Sequence, residues 1–236
     1  MHKQKVSMVI VAAGNGTRFG RDKLFIEVGK KTVIERILEK FIYLRSLGEI
    51  DELVLVVNPK NREQFMSFLE ISEWSKEVRV ISGGRERWES SLLGIKATTG
   101  DLVLIHDAAR PFIKLETVKE AIAKLRAGEP AILVAIPSVN SVKYVSDDGF
   151  NTHSLPRHNI WLAQTPQGFQ KELVLAAYNK ALEEKFEKMT DESELVTQFM
   201  EQNVKIIQGD ESNLKITFVN DLPLAEEVAR LEDLGV

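Results

Sequence analysis

The amino-acid sequence predicts an α/β fold, a mostly parallel twisted sheet with helices on both faces. Three observations carry that reading. Five short runs are rich in Val and Ile and nearly continuous in apolar character; each is bounded by Gly, Pro or Asn; and segments of helical periodicity separate them. Strands joined through helices need crossover connections, which make the strands parallel. The predicted strands are residues 6–13, 53–57, 78–81, 102–105 and 131–136, and the predicted helices between them are 33–47, 62–71, 88–98 and 115–127. In the first helix Thr32 and Glu35 have capping-box spacing, and Ile34, Ile37, Leu38, Phe41 and Ile42 share one face.

The pattern changes after Pro137. Residues 142–145, the turn Asp147-Asp148-Gly149 and residues 150–153 predict a β-hairpin projecting from the sheet. Helices near 171–186 and 191–202 follow, the second opening on Asp191 and Glu194 at capping-box spacing. A strand at 204–207, an apolar piece near 214–218 and a terminal helix from about residue 222 complete the chain. With no linker, repeat or low-complexity tract, a single domain over 1–236 is expected, with a hairpin arm at about 138–160. That arm is either a surface excursion or a dimer contact.

Composition narrows the function. Of 236 residues, 44% are hydrophobic and 28% charged, which suits a soluble globule. A net charge of −4 argues against a polyanion-binding face, so no nucleic-acid partner is expected. Without cysteine there is no disulfide, thiolate nucleophile, iron–sulfur cluster or cysteine zinc site. No stretch approaches the ~20 apolar residues of a membrane span, and the amino terminus does not read as a signal peptide. A cytoplasmic protein without a membrane partner is the expectation.

Candidate chemistry gathers where strands end. The first strand runs into Ala12-Ala13-Gly14-Asn15-Gly16-Thr17-Arg18-Phe19-Gly20, with Arg21 and Lys23 behind it. In an open parallel sheet ligands sit beyond the carboxyl ends of strands, and small residues let backbone N–H groups approach phosphate oxygens. A dinucleotide fingerprint would need its third glycine at position 19, where Phe19 stands, and the Gly-Lys-Ser/Thr of a P-loop is absent. A second glycine turn, Gly83-Gly84-Arg85-Glu86-Arg87, leads into a helix with Ser90 and Ser91; alone it reads equally as a salt-bridged helix start. The fourth strand ends in His106-Asp107-Ala108-Ala109-Arg110-Pro111, where Asp107 is placed to hold Mg²⁺ against phosphates. His106 reads as a satisfied structural residue rather than a general base. His2, His153 and His158 have no metal-ligand spacing, and Ser90 and Ser91 lack a G-x-S-x-G setting.

Further segments extend the pattern: Ala163-Gln164-Thr165-Pro166-Gln167-Gly168-Phe169, Thr190-Asp191-Glu192 and Leu214-Lys215-Ile216-Thr217. Together with the glycine turns and the Asp107 segment, they make the chain resemble the 2-C-methyl-D-erythritol 4-phosphate cytidylyltransferase family almost end to end. The resemblance implies a Rossmann-like fold of the nucleotide-diphospho-sugar transferase type. It also implies a reaction: CTP and 2-C-methyl-D-erythritol 4-phosphate, a sugar-alcohol phosphate, give 4-diphosphocytidyl-2-C-methyl-D-erythritol and pyrophosphate in isoprenoid precursor synthesis, with Mg²⁺ as cofactor. The residues matching the family's catalytic positions are Arg18 and Lys23, which stabilise charge on the α-phosphate, and Arg157 and Lys215, which position the acceptor phosphate. Ala12, Ala13, Gly14, Gly16, Gly84, Ser90 and Ala108 match the CTP site. Asp107, Arg110, Ser141, Thr165 and Thr190 match acceptor-side positions, Asp107 also being the metal ligand. The arm is implied to make a homodimer, with Ser141 and Arg157 serving the neighbour's site.

The chemistry agrees with these residue types. A phosphate monoester has a second pKa near ~6, so the acceptor is a dianion at neutral pH and needs no base. It needs relief from repulsion and in-line alignment, which cations and Mg²⁺ supply. Three departures stand out: Arg85 where the family often carries Asp or another small polar residue, Ser141 where Thr is usual, and Phe218-Val219-Asn220-Asp221-Leu222 in place of Thr-x-Pro-Glu-Asp-Leu. Two alternatives remain at this point. One is a ribitol 5-phosphate cytidylyltransferase, disfavoured by the second Ala of the Asp107 segment and by Thr190-Asp191-Glu192. The other is a non-catalytic nucleotide-binding module, which would be expected to have lost Lys23, Asp107 or Lys215.

Overall fold

The computed structural model describes residues 3–14, 23–186 and 189–234. In chain order the elements are β1 (Val6–Ala12), β2 (Glu27–Val28), β3 (Lys31–Thr32), α1 (Val33–Ser46), β4 (Glu52–Val57), α2 (Arg62–Ile71), β5 (Val78–Ser82), α3 (Arg87–Ala97) and β6 (Leu102–Asp107). They continue with α4 (Leu115–Arg126), β7 (Ala131–Pro137), β8 (Lys143–Val145), β9 (Asn151–Ser154), β10 (Trp161–Gln170), α5 (Lys171–Glu183), α6 (Glu192–Met200), β11 (Lys205–Gln208) and α7 (Leu222–Asp233).

The main sheet has the order β11-β7-β10-β6-β1-β4-β5, and every pairing in it is parallel except those of β10, which runs antiparallel to both β6 and β7. The continuous apolar runs follow from burial on both faces. Along β1, Met8 and Ile10 face a core shared with α1, α2, α4 and α7, whereas Val9 faces a second core shared with α3, α5 and α6. β4 and β6 alternate in the same way. α1 starts on the predicted capping box, with the Thr32 side chain accepting from Glu35 N–H and Glu35 accepting from Thr32 N–H. It then buries Ile34, Ile37, Leu38 and Phe41, each a burial of roughly 1.5–3 kcal/mol.

The structure departs from the sequence reading at two places. β10 was not anticipated: its Pro166 and Gly168 and its many polar residues argue against a central strand. The ladder to β7 accommodates Pro166 by shifting register between Ala163 and Gln167. At α6, Asp191 caps the helix by accepting from Glu194 N–H, but Glu194 turns its carboxylate to Thr190 N–H and hydroxyl, so only half of the expected box forms. The apolar piece at 214–218 is held through Ile216 N–H to Ala109 O and through Asp221, whose carboxylate accepts from Thr217 and Phe218 N–H. The hairpin is where it was expected, as β8 and β9 around Gly149 at φ +88°, braced by stacking of Tyr144 on His153.

Candidate active site

β1 pairs with β4 on one side and β6 on the other, so successive connections leave it in opposite directions. Such a reversal opens a crevice at the carboxyl ends of the strands. Val11 lies beside Asp107 in the β1–β6 register, which brings the first glycine turn and the Asp107 segment together. Gly16 and Arg18 fall outside the described residues. Ala12 and Ala108 are buried at the floor, and Ala108 N–H donates to Val11 O. Ala13 is half-buried and Gly14 exposed. A Cβ on Gly83 would stand 2.6 Å from Ala13 Cβ and 2.7 Å from Ser90 Oγ, so this glycine is what lets the two turns approach. Gly84 N–H donates to Ser90 Oγ at 3.1 Å, and the Ser90 hydroxyl donates to Glu86 O, so buried Ser90 latches the second turn.

Asp107 is the centre of the polar network. Its Oδ1 accepts from Arg87 Nε at 3.0 Å and its Oδ2 pairs with Lys215 Nζ at 2.6 Å. Burial would raise its carboxyl, but Arg87, Lys215 and Arg110 outweigh that and hold it well below the usual carboxylate range. Arg87 also donates from Nη1 to both oxygens of Glu192, at 3.1 and 3.2 Å, and the Tyr178 hydroxyl donates to Glu192 Oε1 at 2.9 Å. Burial and the Glu192 carboxylate raise the Tyr178 hydroxyl far above its ordinary range, so it remains a donor.

Behind Asp107 lies a second relay. Asp107 N–H donates to Thr165 Oγ1, which also lies 3.0 Å from His106 Nδ1. His106 Nε2 is 3.0 Å from Arg110 O, an acceptor only, so Nε2 carries the hydrogen. Burial pushes His106 down to about 4, so the ring is neutral and Nδ1 accepts the Thr165 hydroxyl hydrogen. The structural reading of His106 is therefore the one its contacts support. Arg110 reaches Asn213 O and Ala163 O, while its buried Nε has no partner among the described residues. Asn213, fully buried, donates to Gln164 Oε1 and Thr165 O, tying the Lys215 loop to the irregular part of β10.

Of the expected site residues, Asp107, Arg110, Thr165 and Lys215 come together, and Lys23 reaches the same loop through Nζ to Ile216 O at 2.6 Å. Ser141 and Arg157 lie exposed in the arm, where Arg157 Nη1 donates to Val139 O. Thr190 is exposed at the entry of α6 and bonds Glu194. Sequence reasoning left Arg87 without a site role and did not single out Glu192 or Asn213. The only signal was their position inside or beside the quoted motifs. Among the described residues no group of three or more His, Cys, Asp or Glu side chains could hold a metal. A divalent cation at Asp107 would therefore complete its shell with phosphate oxygens, as Mg²⁺ does at sites with one or two carboxylates, and the firmly ionised Asp107 suits it.

Comparison with known proteins places nearly the whole chain in one family. Residues 6–230 match the family described as IspD, 2-C-methyl-D-erythritol 4-phosphate cytidylyltransferase. A curated protein of that name from Alkaliphilus oremlandii is 35% identical over 236 residues, covering 98% of each chain. Another from Caldanaerobacter subterraneus is 37% identical over 94% of this chain and 97% of its own. Among solved structures, 4-diphosphocytidyl-2C-methyl-D-erythritol synthase from Anaerococcus prevotii superposes with a TM-score of 0.85 at 33% identity, covering 97% of both chains. The matched span takes in both glycine turns, Asp107, β10 and the Lys215 loop, and the chain belongs to the 2-C-methyl-D-erythritol 4-phosphate cytidylyltransferase family.

Proposed function

We propose that this chain transfers the cytidylyl group of CTP to 2-C-methyl-D-erythritol 4-phosphate, giving 4-diphosphocytidyl-2-C-methyl-D-erythritol and pyrophosphate. The observation that carries the reading is Asp107, ionised at the crevice of a sheet of this family, with Lys215 on one oxygen and Arg87 on the other. An acceptor phosphate oxygen attacks the α-phosphorus, the bond to the bridging oxygen breaks, and pyrophosphate leaves with its electron pair. Arg18 and Lys23 stabilise charge on the α-phosphate, beside a nucleotide seated against Ala12, Ala13, Gly14, Gly16, Gly84, Ser90 and Ala108. Lys215 exchanges Asp107 for the acceptor phosphate, with Arg110, Thr165 and Thr190 around the acceptor. Asp107 holds Mg²⁺, which when bound neutralises charge on the triphosphate.

The working unit is a homodimer in the cytoplasm, in which the arm carries Ser141 and Arg157 to the neighbour's acceptor. Exposed Val139, Tyr144, Val145 and Phe150 on the arm support that role, since a partner would cover them. The decisive assay offers CTP and Mg²⁺ with either 2-C-methyl-D-erythritol 4-phosphate or ribitol 5-phosphate and measures pyrophosphate release. Release with the first is expected. Release only with the second would replace the acceptor, and none with either, from folded protein, would overturn the enzymatic reading.

A further inference from the structure

We infer that Arg87 is a positioning residue for Asp107, locked by Glu192 so that the carboxylate keeps one orientation throughout the reaction. The inference rests on the cytidylyl-transfer reading above and assigns a role within it. The two cations on Asp107 differ in freedom. Lys215 is 39% exposed and its ammonium ends a flexible stem, so a substrate phosphate can draw it away. Arg87 is 28% exposed and cannot leave, because its Nη1 holds Glu192, whose side chain is completely buried. Releasing Glu192 would strand an unpaired charge in the interior, which is strongly unfavourable.

The guanidinium geometry makes this a bridge rather than a simple pair. Nε faces Asp107 and Nη1 faces Glu192, so one planar group spans α3, β6 and α6. Tyr178 fixes Glu192 from α5 through its hydroxyl. Asp107 thus hangs from a frame built across one face of the sheet, while its other oxygen remains available for exchange. An ammonium at position 87 could satisfy one carboxylate but not span both.

The test uses the full chain. In Arg87→Gln/Glu192→Gln the Glu192 charge leaves with that of Arg87, and Asp107 keeps Lys215 as its ion-pair partner. Its crystal structure is expected to show the Asp107 carboxylate rotated or split between orientations. Its kcat is expected to fall about 10–10²-fold with the CTP KM changed by less than about twofold, because a displacement near 1 Å costs rates of that order without uniform loss of binding. Arg87→Lys, which keeps a cation beside Glu192 should the double variant fail to fold, is expected to show the same split rather than rescue. An unmoved Asp107, a wild-type kcat in Arg87→Lys, or an equal rise in both KM values would each overturn the inference. Wild-type protein that releases pyrophosphate with neither acceptor would remove the cytidylyl-transfer reading, and the orientation of Asp107 in crystals of the wild-type and double-variant proteins would still decide the positioning role.

Discussion

Lys215 pairs with Asp107 at 2.6 Å, and His106, next to Asp107 in the chain, is a buried neutral ring. A neutral, structural His106 was legible from its place at the end of a buried strand. The partner of Lys215 was not legible, because Asp107 lies 108 positions earlier and only the docking of the Lys215 loop, through Ile216 N–H to Ala109 O and Asn213 to β10, brings the two together. Lys215→Ala should leave the fold intact, since Asp107 keeps Arg87, and lower kcat by roughly 10²-fold through misplacement of the acceptor phosphate. Steady-state turnover at saturating substrates checks it. His106 yields a pH prediction. Unfolded histidine takes a proton near ~6.5 and the folded ring only near about 4, so the unfolded state binds more protons between those values. The stabilisation is present above ~6.5 and lost as pH falls toward about 4, amounting to roughly 3 kcal/mol at most. Urea titrations across that window should show the slope, and His106→Gln should flatten it.

At the scale of elements, periodicity identified the helices and parallel strands because both faces of the sheet bury apolar residues. It could not identify β10, whose polar, proline-containing sequence is tolerated only through a register shift against β7. Resemblance to a known family marked these residues as part of the site; local composition concealed what they formed. The docking of α3 is another case. Gly94 lets this helix lie close on β1 and β4, where an added Cβ would stand 2.4 Å from Val9 Cγ1 and 2.9 Å from Val56 Cγ2. Gly94→Ala should destabilise the protein by about 1–3 kcal/mol through overpacking, read as a lower melting temperature. Because Arg87 and Ser90 ride on the same helix, activity measured well below that temperature should fall too.

For the whole molecule, an overall charge of −4 describes the solvent face, whereas Lys23, Arg87, Arg110 and Lys215 concentrate around one strand end. Average composition disfavoured a nucleic-acid surface and was silent about that placement. The proposed assembly has its own test. Phe150 and Tyr144 are 69% and 57% exposed, and Phe150→Asp with Tyr144→Asp should shift sedimentation from dimer to monomer. Turnover should fall with it, and adding intact arms on an Asp107→Asn partner should restore part of the loss.

The register of β7 with β10 places Pro137 opposite Trp161, on adjacent antiparallel strands. Everything between them is therefore an insertion into what would otherwise be a simple hairpin. Replacing residues 138–160 by a two-residue Asn-Gly turn would let the strands connect directly. The arm is separable from the scaffold: a graft point at which, on the proposed assembly, subunit recognition could be exchanged while the sheet is inherited unchanged.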